Sequence, residues 1–282
     1  MKTKTVRKML RTKFEDWVSS IKDESLRNTL AGKCFVTGGS IASMLLKEPV
    51  NDFDIYFRDL ETATSVAKYY VALFNELHGH KLKVEVTEEG RVRVVTESGH
   101  RGETLGEPPA IEDAYEETKA QALETEGSDY RPVFVSTNAI TLAGKVQLVL
   151  RFYGEPDQVH ENYDFVHCTN YWLATEDKLV LQQEALETLL TKELRYIGSR
   201  YPVCSVTRIR KFIQRGWTIN AGQILKMCMQ ISELDLTDPK VLEDQLTGVD
   251  SAYFIQVIRA VKEKDPEKIN AAYLVEIIDR MF

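Results

Sequence analysis

The sequence predicts an α+β protein, with a mixed-sheet domain over residues 1–177 and a helical domain over residues 178–282. Two observations carry that reading. Short apolar runs alternating with period two crowd the first 170 residues, separated by stretches whose apolar residues recur at helical spacing. After about residue 178 only helix-period segments remain, broken at Tyr201-Pro202, Gly216 and Asp235–Pro239.

The elements follow in order. Val6, Leu10, Phe14, Trp17, Val18, Ile21 and Leu26 predict one or two amphipathic helices before the first strand. Phe35-Val36 reads as a buried strand, Thr37-Gly38-Gly39-Ser40 as the turn ending it, and Ile41–Leu46 as a short helix that stops near Glu48-Pro49. In the next strand Phe53, Ile55 and Phe57 alternate with Asp52, Asp54 and Tyr56, so both aspartates point the same way. A helix over 61–78 precedes a hairpin over 82–96, and residues 97–130 read as an acidic surface excursion with a short helix around 111–124. Strands are expected at 133–135, 139–142, 146–152 and 163–168, with a helical segment at 156–162. Helices are then expected at 178–195, 204–215, 220–233, 238–246, 250–262 and 266–281.

The chain of 282 residues, 43% of them hydrophobic, can bury a sizeable core. Its net charge of −7, from 36 basic and 43 acidic side chains, gives no global positive field for a long nucleic acid, although a local basic patch could still hold a compact RNA end. No apolar run is long enough to cross a bilayer, and the basic start is not followed by an apolar signal core. Cys34, Cys168, Cys204 and Cys228 are widely spaced, which fits reduced thiols and a cytoplasmic location. Tyr253–Val261 and Ala271–Phe282 present helical faces suited to a homo-oligomer as well as to an intramolecular core.

Gly38-Gly39-Ser40 and Asp52-Phe53-Asp54 are the chemically informative pair. The glycines precede a helix whose first N–H groups can accept phosphate oxygens, and Ser40 adds a hydroxyl. Two aspartates on one strand face can hold magnesium. No Gly-Lys-Ser/Thr follows the glycines, so this is not a Walker loop, and the third glycine of a dinucleotide fingerprint is missing. His160, His167 and Cys168 lack zinc-site spacing, and Ser40 has no identifiable base that would make it a nucleophile.

These segments resemble the signature of the polymerase-beta-like nucleotidyltransferase superfamily, closely over residues 35–57 and more loosely through about 175. The resemblance implies that Gly38, Gly39 and Ser40 bind the β and γ phosphates of an NTP. Asp52 and Asp54 would ligate Mg²⁺, and a third acid from a later strand would complete a catalytic metal site. Asp164 is the first choice for that acid, with a junction residue accepting backbone hydrogen bonds as the plainer reading. The rival position lies on Val146–Phe152, where Gln147 stands in place of an acid.

Arg208, Lys211 and Arg215 recur at i, i+3 and i+7 on one helix face, a local basic patch suited to phosphate oxygens and also explicable as a solvated face. Ser205 or Thr207 would cap that helix and Gly216 would end it. Trp217, Tyr201 and Phe212 could stack on a base but read first as core residues. The implied activity is magnesium-dependent transfer of a nucleoside monophosphate from an NTP to an acceptor hydroxyl of RNA, protein or a small molecule, with pyrophosphate released. The competing expectation is a noncatalytic protein that retains the fold for nucleotide sensing or partner interaction.

Overall fold

A computed structural model describes residues 1–96, 129–246 and 270–281. Nine strands and ten α-helices are assigned among them. The strands are β1 Cys34–Thr37, β2 Phe53–Phe57, β3 Leu82–Val86, β4 Val92–Thr96, β5 Pro132–Val135, β6 Ala139–Leu142, β7 Val146–Tyr153, β8 Tyr171–Leu173 and β9 Lys178–Val180. The helices are α1 Thr3–Ser20, α2 Glu24–Lys33, α3 Gly39–Leu46, α4 Leu60–His78, α5 Pro156–His160, α6 Gln183–Thr191, α7 Pro202–Gln214, α8 Ala221–Ser232, α9 Pro239–Leu246 and α10 Ala271–Met281. None of the described helices is long and apolar enough to cross a membrane.

Seven strands form one mixed sheet in the order β5-β6-β7-β2-β1-β8-β9, while β3 and β4 pair as a separate hairpin. β2 and β7 run parallel and the other neighbours antiparallel. The period-two pattern explains why both faces are covered. Val36, Phe53, Ile55, Phe57, Leu148 and Leu150 belong to the main core with Leu10 and Trp17 of α1 and Val66 and Tyr70 of α4. Within it Trp17 Nε1 donates to Tyr70 Oη at 2.8 Å, so two buried polar-tipped side chains satisfy each other. The intervening residues Phe35, Tyr56, Val149 and Leu173 pack on the opposite face with Val159 of α5.

α3 is held from two sides. Ile41 and Met44 enter the main core, whereas Ala42 joins a second cluster with Phe165, Leu189, Leu194, Tyr196, Trp217 and Met227. The short helix after the glycine turn is thereby wedged between the sheet and the helices that follow it, and the turn gains a fixed direction.

Several boundaries differ from expectation. Residues 163–168 are not a strand: Val166–Cys168 is a 3₁₀ turn, and Phe165 makes only an isolated bridge with Tyr196. The turn lets Phe165 and His167 both face Phe212, which an alternating strand would forbid. The β8–β9 hairpin carries the sheet to Val180, past the expected boundary at 177. Helix α6 is confined to Gln183–Thr191. α7 starts at Pro202, a residue preorganised for the first helical position, so neither Ser205 nor Thr207 is the cap. Gly216 does close it, with φ +78° and its N–H bonded to Ile213 O at 2.9 Å. The expected helices at 111–124 and 250–262, and with the latter the Tyr253–Val261 face, lie outside the described residues.

Candidate functional site

The sheet register assembles a polar row at one end of the otherwise apolar second face. Thr37 of β1 pairs with Asp54 of β2, Asp54 with Gln147 of β7, and Gln147 with Thr141 of β6. Partnered residues in a sheet share a face, so these four side chains project from one side. They continue the alternation of Phe35, Tyr56 and Val149 beneath them. Asp54 is half-buried, and Asp52 is a half-buried residue one position before β2 opens.

The glycine turn lies against this row. Gly38 has φ +96° and ψ −158°, a conformation open essentially only to glycine. A Cβ at this position would stand 2.9 Å from Asp54 Oδ2 and 3.6 Å from Tyr163 Oη. The Gly38 N–H already donates to Cys168 O at 3.1 Å, so the donors left for an anion are those of the first turn of α3, which begins at Gly39. Ser40 Oγ is buried there and has no hydrogen-bond partner among the described residues. Behind the turn, Thr37 Oγ1 lies 2.9 Å from Asn170 O and 2.8 Å from His160 Nε2. With its one proton given to a carbonyl, the hydroxyl accepts from the imidazole. That assigns the Nε2–H tautomer to His160, whose pKa burial pushes down to about 4.

Asp164 accepts a backbone hydrogen bond, as its plainer reading expected, and adds an ion pair which that reading did not include. Its Oδ2 lies 2.7 Å from Arg208 Nη1 and its Oδ1 accepts the Phe165 N–H at 3.0 Å. Gln147 of β7 stands beside Asp54 in the sheet. Among the described residues no group of three His, Cys, Asp or Glu side chains gathers to hold a metal ion, so Asp164 forms no three-carboxylate cluster with Asp52 and Asp54. Asp164 lies outside the sheet, ahead of the 3₁₀ turn, and its side chain is held against α7 by Arg208. His160, His167 and Cys168 likewise form no metal cluster, and His167 is caged by Phe165, Phe212 and Trp217, where burial pushes its pKa to about 4.

The basic residues divide. Arg208 pairs with Asp164; burial and Asp54 push the Tyr56 hydroxyl up, and Arg208 opposes them. Burial, Asp164 and Asp54 push up the Cys168 thiol in the same way, against Arg208 and Arg215. Both carboxylates and both guanidiniums thus act on one thiol. Lys211 is half-buried one turn beyond Arg208 on α7. Arg215, however, is the C-cap of α7 and is committed to the flank of α3, donating to Ser43 Oγ at 2.8 Å and lying 3.3 Å from Glu48 Oε2. Lys192 joins the same carboxylate at 2.5 Å. This Glu48–Lys192–Arg215 clamp had no sequence signal, since its members lie up to 167 positions apart. Trp217 and Tyr201 are core residues, as the plainer reading expected.

A Mg²⁺ ion is bound by one or two carboxylates completed by substrate phosphates and water, so the donor set of Asp52 and Asp54 fits a single ion arriving with a nucleotide. It does not fit a site closed by three protein carboxylates.

Fold and site together define an α+β protein whose glycine turn, acid-bearing strand and basic helix meet at one end of a mixed sheet. The chain belongs to the Gabija anti-defense 2 family, which it matches over residues 8–192. It is similar to the protein Gabija anti-defense 2 of Bacillus phage SPbetaL7, with 18% identity over 123 residues, 43% of this chain and 31% of the phage protein. Among solved structures it is similar to the Thermotoga maritima CCA-adding enzyme complexed with tRNA, at 14% identity and TM-score 0.39, covering 88% of this chain and 54% of that one. A CCA-adding enzyme with CTP gives 15% identity and TM-score 0.41, covering 95% of this chain and 54% of that one. The chain therefore spans about a third of the phage protein and about half of the solved chains.

Proposed function

We propose that this protein counteracts the Gabija defence, as the name of its phage relative states for that protein, and that it does so by binding a nucleotide in a nucleotidyltransferase-like site rather than by transferring one. The observation that carries the second half is the pairing of Asp54 with Gln147. A neutral amide at that place supplies no negative charge to a second metal ion and no base for an acceptor hydroxyl. Gly39, Ser40 and the first turn of α3 would receive phosphate oxygens, Asp52 and Asp54 would hold one Mg²⁺ with them, and Arg208 and Lys211 would offset the remaining charge. The ion supplies charge neutralisation between the carboxylates and the phosphates.

The Asp52–Asp54 spacing beside a glycine turn favours a second reading, magnesium-dependent nucleotidyl transfer to an RNA or protein hydroxyl. One experiment separates the two. Purified protein is titrated with each NTP with and without magnesium, and pyrophosphate release is followed with RNA and protein extracts as acceptors. Saturable magnesium-linked binding without pyrophosphate, together with loss of protection against Gabija in Asp54→Asn, supports binding. Magnesium-dependent pyrophosphate release abolished by Asp54→Asn establishes transfer instead.

A further inference from the structure

We propose that the first turns of α1 form a docking surface for the phosphate backbone of double-stranded DNA. The surface is independent of the nucleotide reading, since α1 covers the face of the sheet opposite the Asp54 row. Residues 1–14 hold six Lys and Arg side chains and no Asp or Glu, in a chain whose net charge is −7. At 3.6 residues per turn, Lys4, Arg7, Lys8 and Arg11 fall within an arc of about 100° on α1, beside the buried stripe of Val6, Leu10, Phe14 and Trp17. Lys4 and Lys8 are exposed, and neither has an ion-pair partner among the described residues. Arg7 Nε and Arg11 Nη1 share one carboxylate oxygen, Asp177 Oδ2, at 3.6 and 3.0 Å, and their side chains stay 47% and 44% exposed. The other oxygen of Asp177 accepts the N–H of the buried Trp172 at 3.1 Å, so the acid is tied to the core and holds both arginines on one side of the helix.

Such a stripe destabilises the helix that carries it. The first turn of α1 has no acid and Lys2 supplies no capping side chain, so the cations stand unopposed at the positive end of the macrodipole. Lys4 with Lys8 and Arg7 with Arg11 are like-charge pairs at i, i+4, answered among the described residues by Asp177 alone. An ordinary solvated helix face mixes the two signs. The same placement adds the potential of the helix N-terminus to that of the side chains, which draws an anion. The anion that fits is an extended one. Lys4 to Arg11 spans roughly 10 Å along the axis, close to the roughly 12 Å width of the B-DNA major groove, so the stripe can meet phosphates on both borders of one groove. Duplex RNA fits less well, because its recognition runs over about 16 base pairs and successive grooves. Phe14 and Trp17 are buried, so α1 offers no aromatic platform for the unstacked bases of a single strand. Lysines and tethered arginines on phosphates carry no sequence information, and binding is expected to be independent of sequence.

The test is a salt series on the full chain, read by fluorescence anisotropy of a short labelled DNA duplex of mixed sequence, in EDTA and at about 50 to 200 mM salt. Circular dichroism and thermal melting establish which variants are folded. Wild type is expected to bind with log K falling against log salt at a slope of about −3 to −4, the value for four neutralised phosphates. The double variant Lys4→Gln/Lys8→Gln is expected to reduce that slope by about 2 while its Tm holds or rises, because it relieves the helix end. Asp177→Asn releases Arg7 and Arg11 and is expected to tighten binding about threefold, the scale of one exposed charge, while stability stays level or falls. A purely structural residue does not move the two in opposite directions. Lys226→Gln, on the exposed side of α8, is the control and should leave binding unchanged. Absence of wild-type binding at the lowest salt, an unmoved slope in a folded Lys4→Gln/Lys8→Gln, or unchanged or weaker binding in a folded Asp177→Asn overturns the proposal. Tighter binding to duplex RNA or single-stranded DNA overturns the assignment to DNA duplex. Displacement of the duplex by poly-glutamate at a lower charge concentration than by unlabelled DNA overturns it as well, in favour of an acidic protein.

Discussion

Replacing Gly38 by alanine separates the two demands placed on the turn. The first is conformational: at φ +96° and ψ −158° a residue with a Cβ is strained by about 1–3 kcal/mol. The second is steric, since the new methyl carbon meets Asp54 Oδ2 at 2.9 Å and something must shift. The carboxylate is the far end of a side chain and can rotate away, adding about 1 kcal/mol by leaving its rotamer. The sum is a loss of about 2–4 kcal/mol. A chain of this size loses about 2 °C in Tm per kcal/mol, so the expected drop is roughly 4–8 °C by differential scanning fluorimetry. Displacement of the Asp54 carboxylate should also weaken magnesium-linked nucleotide binding. Gly39→Ala is the control, because a Cβ there meets nothing within 4 Å and its φ is ordinary. At the first position of α3 alanine is the better helix former, so its Tm should stay within about 1 °C of wild type or rise. Equal melting of Gly38→Ala and wild type, or a Gly39→Ala loss as large as that of Gly38→Ala, refutes the reasoning.

Three further outcomes are expected. His160 and His167 have folded pKa values pushed down to about 4, chiefly by burial, against an ordinary value near 6.5. Below pH 6.5 the unfolded chain takes up protons that the folded chain refuses, so stability should fall progressively from pH 6.5 to 4; urea titrations of His160→Gln should show a shallower fall, and an unchanged slope would count against the assignment. Gln147→Glu places a second carboxylate beside Asp54, which should lower Tm by roughly 2–4 °C in EDTA, for about 1–2 kcal/mol of like-charge repulsion, and should make magnesium restore it; a Tm indifferent to magnesium contradicts the shared face. Glu48→Gln removes the carboxylate shared by Lys192 and Arg215, whose side chains are about one-third exposed, so after solvent screening the loss should be only about 1 kcal/mol in chemical denaturation. A loss several times larger would show the clamp to be a buried network.

The strand–turn–helix–strand unit at 34–57 was legible because glycine, alternation and an apolar run are local signals. β2 opens at Phe53, one residue later than the alternation from Asp52 suggested, and α3 opens at Gly39, two residues earlier than Ile41. What was not legible is short or distant. β8 and β9 are three residues each, too brief for a period to register. Residues 163–168 were read as a strand because Phe165 and Val166 have strand composition, but His167 and Phe165 turn into the aromatic cluster with Phe212 and Trp217, and tertiary packing overrode propensity. The reassignment of Asp164 has the same origin. An acid with apolar neighbours satisfies the pattern of a catalytic carboxylate and of a buried salt bridge alike, and its partner Arg208, 44 positions away, leaves no local signal.

The parallel pairing of β2 with β7 is what gives Gln147 its meaning. A slip of one residue would bring Val146 or Leu148 opposite Asp54, and would turn the apolar set Val146, Leu148 and Leu150 out of the main core onto the polar face. The hydrophobic cost of that exchange fixes the register at the site, and the irregularity in the pair falls farther along, between Ile55 and Phe57. The amide beside Asp54 is therefore set by the packing of the opposite face and cannot be relieved by a local shift of the strand. Under the nucleotide-binding reading proposed above, the fixed neutral neighbour leaves Asp52 and Asp54 as the acids available to a phosphate-bound ion on this strand.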